Sequence, residues 1–212
     1  MYQPKHFQEE NSRFINGLVN DNPLGTLILS TDGSFEVNHI PFVMDSDSSG
    51  IRKLRAHVPR TNSLIDLVSE SATCVVVFQG AEGYITPSWY ATKRKHGKVV
   101  PTWNYAVVHV HGSIRAVDDA SWVKQQLEDL TNQNEMKRHR KWKISDAPSD
   151  FTASQLSVLV GLEVIAEKTE AKTKASQNQP QENQASILDS LTNEQSGSNL
   201  NVMMSSVLNK SR

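Results

Sequence analysis

The feature that most constrains the fold of this chain is the alternation of apolar and polar side chains along the segment from Tyr105 to Val117. A repeat of two residues is typical of a β-strand, in which successive side chains point to opposite faces of a sheet. One face carries Ala106, Val108, Val110 and Ile114, and the other carries His109, His111 and Arg115. The segment is therefore predicted to be a strand with one face packed in a core and the other facing solvent or a ligand.

A second strand signal lies near the amino terminus, where Gly25–Ser30 and Phe35–Val43 flank the turn sequence Thr31-Asp32-Gly33. Two alternating segments around an Asp-Gly turn predict a β-hairpin. Pro41 lies inside the returning strand and has no N–H to donate, which places it at a sheet edge, a strand end or a bulge.

The remaining segments predict a mainly β (α+β) fold. Further strands are expected at Ile51–Val58, Ala72–Phe78 and Leu162–Glu167, with a polar turn at Asp45–Gly50. Helices are expected over residues 4 to 20, over Ser63–Ser71, from a cap at Asp118 or Asp119 through Leu130, and from a capping box at Thr152 and Gln155 through Val160. Roughly six mostly antiparallel strands with peripheral helices indicate a closed or partly closed β-barrel.

Composition narrows the class of protein. The formal net charge of −1 gives no overall basic excess for nucleic-acid binding. Cys74 is the only cysteine and lies in an apolar segment, so an intramolecular disulfide is excluded and a small core residue is expected. The opening sequence has no signal-peptide core and no apolar run reaches about 18 residues, so a cytoplasmic protein without a membrane partner is expected.

The amino-acid composition changes near the end of the chain. Gln177–Gln184 is polar and of low complexity, which predicts a linker. Beyond it, Leu200, Met203, Met204, Val207 and Leu208 have helical spacing. The predicted organisation is a barrel domain over residues 1–170, then a polar linker and helical tail over 171–212 that is ordered only against a partner surface.

Several short blocks combine histidine, proline, arginine, asparagine and aromatic residues. They are Pro23–Leu27, His39–Phe42, His57–Asn62, Tyr84–Tyr90 and Val100–Tyr105, with Met1–Phe7 and Lys174–Asn178 at either end. In order and spacing they resemble the PaiB-type FMN-binding negative transcriptional regulators, a branch of the split-barrel flavoproteins that also include pyridoxamine-phosphate oxidases. The resemblance runs from residue 1 to Asn178, and the chain departs from the family pattern after that point.

The resemblance implies an FMN-binding split β-barrel that works as a homodimer, with FMN at the dimer interface, and a role as a negative transcriptional regulator. A flavin-dependent oxidoreductase acting on a small substrate is the alternative, because one fold hosts both functions. A barrel that binds another cofactor, such as haem, lacks a convincing axial-ligand context. No catalytic residue is predicted.

The chemistry of FMN suggests phosphate-binding residues. A dianionic phosphate requires cationic and neutral donors. Arg60 can bind a phosphate with two parallel hydrogen bonds, and His57 and Asn62 offer further donors around the same turn. The alternative is that Arg60 and Asn62 only hold the loop before Ser63, with His57 paired along its strand.

The flavin ring requires flat apolar walls and nearby hydrogen-bond donors. His39 and Pro41 share one face of a strand that runs beside the flavin in the resembling family, and Thr26 lies across the hairpin from them. Trp103 and Asn104 join this group by resemblance, as part of the wall at the dimer interface. The alternatives are an ordinary edge or core histidine, a turn-proximal threonine and a core tryptophan.

Two further patterns bear on metal binding and on DNA binding. His109 and His111 lie two apart on one strand face, but the sequence places no carboxylate or third histidine beside them, so no metal site is predicted. Lys93–Lys98 and Lys137–Lys143 are basic segments that could contact DNA, with Trp142 interleaved in the second. Solvated loops are the alternative for both.

Overall fold

The computed structural model describes residues 1–46, 52–68 and 72–210. Its strands are β1 Gln8–Glu9, β2 Leu24–Thr31, β3 Ser34–Pro41, β4 Val43–Ser46, β5 Arg52–Pro59, β6 Thr73–Ile85, β7 Thr102–Val117 and β8 Leu159–Lys174. Its α-helices are α1 Ser12–Asp21, α2 Leu64–Leu67, α3 Lys93–His96, α4 Ala120–Glu135, α5 Ser149–Ser157, α6 Gln181–Glu194 and α7 Asn199–Lys210. Short 3-10 turns occupy Lys5–Phe7, Pro87–Trp89 and Ile144–Asp146.

Backbone hydrogen bonds join the strands in the order β3-β2-β6-β7-β8-β5-β4, and β1 pairs with β8. The pairs whose register is defined are all antiparallel. The prediction of a mainly β fold with antiparallel strands and peripheral helices is confirmed. The sheet has eight strands rather than about six, and its order is an open path.

The chain forms two compact units. The central unit comprises Asn16–Phe78 and His109–Thr169. The terminal unit comprises Met1–Ile15, Gln79–Val108 and Glu170–Arg212. The predicted domain bounds, 1–170 and 171–212, stay a prediction.

The core of the central unit is built from the inward side chains of its strands. Leu27 of β2 and Leu54 of β5 have no exposed surface, and Phe42 meets Phe78 edge to face with ring centroids 5.9 Å apart. A Cβ atom at Gly25 would lie 2.9 Å from the Phe78 ring, so glycine permits this close packing at the start of the hairpin. The predicted hairpin is confirmed, with Thr31 opposite Ser34.

Helix α4, in the central unit, begins at its predicted cap and packs against β8 through one aromatic residue. Asp119 accepts hydrogen bonds from the N–H groups of Ser121 and Trp122 at 2.8 and 3.0 Å, which confirms the predicted capping position. A Cβ atom at Gly161 of β8 would lie 2.4 Å from the Trp122 ring. Glycine at this point of β8 therefore makes room for the helix.

Helices α6 and α7 pack within the terminal unit. Ile187, Leu191 and Met204 have no exposed surface, and Leu200 packs so closely on Gly83 that a Cβ atom there would lie 2.5 Å from its Cδ2. The helical spacing around Met204 is thus confirmed as a helix. The expectation of a linker is wrong for residues 181–184, because α6 begins at Gln181 and its apolar face is covered inside this unit.

The predicted helix over residues 4 to 20 is wrong in its first half. A 3-10 turn and β1 precede α1, and β1 pairs Gln8 with Lys172 and Glu9 with Ala171. Asn11 then caps α1, because its side-chain oxygen accepts from the N–H of Arg13 at 2.9 Å. Spacing alone could not separate the two parts, because Phe7 is buried as the helical pattern requires.

Other helix and strand boundaries differ from those that the sequence predicts. Thr152 lies inside α5, where its hydroxyl donates to the Pro148 carbonyl, so the predicted capping box is wrong. The polar turn predicted from Asp45 is wrong at its first two residues, because β4 runs through Ser46, and residues 47–50 lie outside the described residues. Ile51 and residues 69–71, at the ends of two other predicted elements, are also outside them.

The close approach of β7 and β8 gives a test of the fold. A Cβ atom at Gly112 would lie 2.0 Å from the Ile165 carbonyl oxygen, a contact with backbone that no side-chain rotation can relieve. We expect Gly112→Ala to lower the free energy of unfolding by about 3 kcal/mol or more, measured by urea denaturation. Gly17→Ala is the matched control, because nothing lies within 4 Å of its Cβ position in α1. The control should be neutral or gain up to about 1 kcal/mol, and equal loss in both variants would contradict the strand packing.

Candidate functional site

The hairpin of β2 and β3 turns one face away from the core. We call this the hairpin face, and it consists of Leu24, Thr26 and Ile28 of β2 with Phe35, Val37, His39 and Pro41 of β3. Thr26 pairs with His39, and Leu24 with Pro41. The structure therefore brings together three of the predicted cofactor-site residues, Thr26, His39 and Pro41, on one surface.

The hairpin face is more apolar than an ordinary solvent-facing strand surface. Leu24 is 59% exposed, Phe35 69% and Val37 50%. On the neighbouring strand β6, Val75 and Val77 pair with Ile28 and Thr26. Contiguous exposed apolar side chains on a sheet mark a surface that meets a ligand or another protein.

Strand β3 lies at one end of the strand order in the described part of the chain. The Phe42 N–H donates to the Pro23 carbonyl at 2.9 Å, which fixes the hydrogen-bonded positions of the β2–β3 ladder. Because such positions alternate, the backbone N–H and C=O groups of Val37 and His39 point away from β2. The prediction that Pro41 lies at an edge or strand end is confirmed, since Pro41 is the last residue of β3.

The loop after β5 lies beside this hairpin. The Asn62 side-chain amide donates to the Asn38 side-chain oxygen at 3.0 Å, and Asn38 is the β3 neighbour of His39. Asn62 also accepts from the Leu64 N–H at 2.9 Å and so holds the start of α2. Asn62 therefore ties the loop that carries Arg60 to strand β3.

Arg60 is exposed and already binds an oxyanion. Its Nη1 donates to Asp118 Oδ2 at 2.9 Å, its Nη2 donates to Oδ1 of the same carboxylate, and its Nε donates to the Ser157 carbonyl at 3.0 Å. These hydrogen bonds and the guanidinium charge hold the pKa of Asp118 below its ordinary value. A planar guanidinium with both donors aimed at one carboxylate has the geometry that a phosphate also requires.

His57 lies against helix α4. Its Nδ1 is 2.7 Å from the side-chain oxygen of Gln126, a residue with no exposed surface, whose amide donates to the Arg55 carbonyl at 3.3 Å. The side-chain partner of His57 is thus a buried glutamine of helix α4.

The residues of this region fit an FMN group. The fit rests on two observations, a guanidinium that holds an oxyanion in the structure and an exposed apolar face beside a strand with outward backbone groups. The first suits the phosphate and the second suits the flavin ring. Arg60 and Asn62 would hold the phosphate, and His39, Thr26 and the β3 backbone would lie along the ring.

Trp103 and Asn104 lie in the terminal unit. The Trp103 indole is 48% exposed, donates to Glu82 at 2.6 Å and meets Tyr84 edge to face at 6.2 Å. Asn104 is buried, and its amide donates to the Ser176 hydroxyl at 2.9 Å. Trp103 thus offers an open aromatic surface, whereas Asn104 is committed to internal hydrogen bonds. The assignment of all eight residues to a cofactor site stays a prediction.

Sequence reasoning missed Asp118 and Gln126, the partners of Arg60 and His57. The sequence indicates Asp118 only as a possible helix cap, and it gives no signal for Gln126 because a glutamine on a helix is ordinarily solvated. Cys74 was predicted correctly as a core residue, and burial raises the pKa of its thiol to about 12. The thiol is therefore protonated at neutral pH and is not a nucleophile.

No helix among the described residues is long and apolar enough to cross a membrane.

Comparison with known proteins identifies the family of this chain. The family model described as "Putative FMN-binding domain" matches residues 1–168. Uncharacterized protein YKL070W of Saccharomyces cerevisiae is 39% identical over 158 residues, which cover 65% of this chain and 92% of that protein. Protease synthase and sporulation protein PAI 2 of Bacillus subtilis is 26% identical over 195 residues, 92% of this chain and 91% of that protein.

A similar fold occurs in the FAD and haem binding protein from Mycobacterium smegmatis. The TM-score is 0.57 at 16% sequence identity, and the match covers 79% of this chain and 73% of that one. The predicted split-barrel fold and the resemblance to PaiB-type proteins are confirmed. Because the family model matches more than half of its residues, this chain belongs to the family described as "Putative FMN-binding domain", and its cofactor is FMN.

Proposed function

We propose that the chain is a homodimeric, FMN-dependent negative regulator of transcription, in which two copies meet through the hairpin face. FMN supplies one- and two-electron redox chemistry when bound. The chain's own residues would position the cofactor and present surfaces that respond to its state. The observation that carries the proposal is the exposed apolar hairpin face beside the Arg60 loop.

A second copy is the occupant that best suits the hairpin face. Soluble proteins most often assemble as two-fold dimers, in which the same patch on each copy meets its equivalent. The hairpin face provides apolar side chains at Leu24, Phe35 and Val37 with polar groups at Thr26 and His39 among them. An apolar centre with interspersed hydrogen-bonding groups is typical of a dimer interface.

Two observations support the regulatory role: the similarity to PAI 2 and an exposed basic segment. The relative PAI 2 carries a name that refers to protease synthesis and sporulation, and it aligns along 92% of this chain. In the central unit, the basic segment Lys137–Lys143 is exposed. Of its side chains in the described structure, only Lys137 has a carboxylate partner, Asp21 at 2.7 Å. The remaining cations are available to a phosphate backbone.

The first experiment is a visible absorption spectrum of the purified protein after FMN addition and desalting. We expect about one FMN per subunit. DNA retention is then measured with oxidised and reduced protein at several salt concentrations, against a variant with Arg138, Arg140 and Lys141 changed to glutamine. A matched variant changes Lys93, Arg94 and Lys95 in the other basic segment. Retention that falls only in the first variant supports the regulator.

The alternative, a flavin-dependent oxidoreductase acting on a small substrate, makes a different prediction. It would show steady-state oxidation of NADH or NADPH by the FMN-loaded protein, together with DNA retention that neither basic variant alters. That combination would overturn the regulatory proposal and leave the FMN assignment intact.

Arg60 and Asp118 allow a paired test of the phosphate site. We expect Arg60→Ala to weaken FMN binding by more than about tenfold, because a charge-assisted hydrogen bond to phosphate contributes about 1.5–3 kcal/mol. Asp118→Asn should instead tighten binding or leave it unchanged, because the carboxylate that competes for the guanidinium is removed. Fluorescence quenching of FMN measures both dissociation constants.

The control for this pair is Arg115→Ala, because Arg115 is also exposed on the central unit and pairs with a carboxylate, Glu163. It should bind FMN as the unaltered protein does. If Arg60→Ala keeps the original dissociation constant, Arg60 does not bind the phosphate and only fastens the loop to Asp118.

The dimer is tested by placing a charge on the hairpin face. We expect Val37→Glu to convert the dimer to a monomer, because a buried carboxylate without a partner opposes association. Val202→Glu is the matched control, since Val202 is a valine of α7 that is 60% exposed. Light scattering after gel filtration gives the mass in each case. A Val37→Glu protein that remains dimeric would show that copies do not meet through this face.

A further inference from the structure

A cavity of about 470 Å³ lies wholly among residues of the terminal unit. Phe7, Tyr90 and Pro101 supply apolar wall, while Lys98, Thr102 and Lys174 supply polar groups. Cavities of this size that combine apolar walls with polar groups are typical of small-molecule sites. None of the predicted cofactor-site residues lines it.

The charged residues that line the cavity are all basic. Its ionisable lining residues are Lys98, Lys174, His96 and the tyrosine Tyr90, and no aspartate or glutamate is among them. In the part of the chain that the structure describes, neither Lys98 nor Lys174 forms a salt bridge with a carboxylate. The Lys174 ammonium donates to the Thr102 hydroxyl, another lining residue. The cavity therefore presents positive charge that this unit does not neutralise.

Lys174 stands in an unfavourable position for a cation. Burial lowers the pKa of Lys174 below the ordinary lysine value; Tyr105 opposes this shift, and the nearby charge of Lys172 adds a smaller contribution that lowers the pKa. Lys172 is itself held among aromatic rings, 5.2 Å from the Tyr105 centroid and 5.9 Å from that of Phe7. A partly desolvated cation beside a second cation gains more from a bound anion than an exposed one does.

The wall next to Lys174 is built with a strained backbone. Ser176 has φ of 61°, and it is the only non-glycine residue with a positive φ in the described chain. Its hydroxyl accepts from the Asn104 amide at 2.9 Å, and both residues are buried. Such a conformation persists only where surrounding contacts hold it, and it is enriched at ligand sites.

The opposite wall is fixed by a second buried amide. The Thr92 N–H donates to the Asn183 side-chain oxygen at 3.0 Å, and the Asn183 amide donates back to the Thr92 hydroxyl at 3.0 Å. This exchange fastens α6 to the loop before α3. The cavity is thus shaped by internal hydrogen bonds before any ligand enters, which lowers the cost of binding.

We propose that this cavity binds a small organic oxyanion, a carboxylate or phosphate carried on a flat apolar body. Lys174 and Lys98 hold the oxyanion, with Thr102 as a neutral donor, and Phe7, Tyr90 and Pro101 pack against the body. The site is additional to the FMN site and does not depend on the proposed regulatory function. It is the binding site for a second small molecule.

The test uses FMN-loaded protein and three probes in calorimetric titrations. The probes are benzoate, phenyl phosphate and benzyl alcohol, which share an aromatic ring and differ in charge. We expect benzoate or phenyl phosphate to bind with one site per subunit, and benzyl alcohol to bind about tenfold or more weakly. A phosphate preference over benzoate, or the reverse, identifies which oxyanion the natural ligand carries.

The variants locate the probe. Lys174→Gln should weaken binding about tenfold or more, and Lys98→Gln, which is exposed and does not endanger folding, about threefold or more. Lys93→Gln removes an exposed lysine of the same unit that does not line the cavity, and it should have no effect. If Lys174→Gln fails to fold, as judged by thermal unfolding, Lys98→Gln decides the question.

Several results would overturn the proposal. Equal binding of benzyl alcohol and benzoate would show that the site does not recognise an oxyanion. Unchanged binding in both lysine variants would show that the probe does not bind in this cavity. Loss of phenyl phosphate binding in Arg60→Ala, with Lys98→Gln unaffected, would place the probe at Arg60. Competition between phenyl phosphate and FMN would assign the cavity to the cofactor instead of a second ligand.

Discussion

The burial of alternate side chains in the central part of β7, from Val108 to Ile114, is the interaction on which the rest of the structure depends. Ala106 and Val108 enter the core of the terminal unit, and Val110 and Ile114 enter that of the central unit. Because the side-chain period of a strand is two, this burial also fixes which residues face outward. The close packing of β8 on β7 then requires glycine at position 112. The same rule turns Val37 and His39 of β3 outward.

The proposed function depends on the surface that the core leaves exposed. The hairpin face is an apolar surface that the central unit does not cover, and its edge strand presents outward backbone groups. Beside it, Asn62 holds the loop on which Arg60 binds the Asp118 carboxylate. An exposed apolar face next to a guanidinium that binds oxyanions suits a cofactor with a flat ring and a phosphate. The family assignment and this geometry therefore agree on FMN.

The terminal unit shows a different use of polar residues. Its buried amides are paired with hydroxyl groups, because Asn104 donates to Ser176 and Asn183 donates to Thr92. These pairs shape a cavity whose lysines lack a carboxylate partner among the described residues. The polar sequence after Asn178 is part of this arrangement, because α6 supplies Asn183 and also buries Ile187. The segment rich in glutamine and asparagine is therefore ordered here, because its side chains form internal hydrogen bonds.

The sequence by itself determined the hairpin, the long strand β7, a helix cap at Asp118 or Asp119 and the face shared by His39 and Pro41, because these depend on local periodicity and on backbone chemistry. It also carried the family resemblance and so the cofactor. Only the tertiary structure decided that Asp118 binds Arg60, that Gln126 meets His57 and that Asn104 is buried against Ser176. Each of these contacts joins residues more than 50 positions apart. Local patterns carry no information about such pairs, because the burial of distant strands and helices sets which side chains meet.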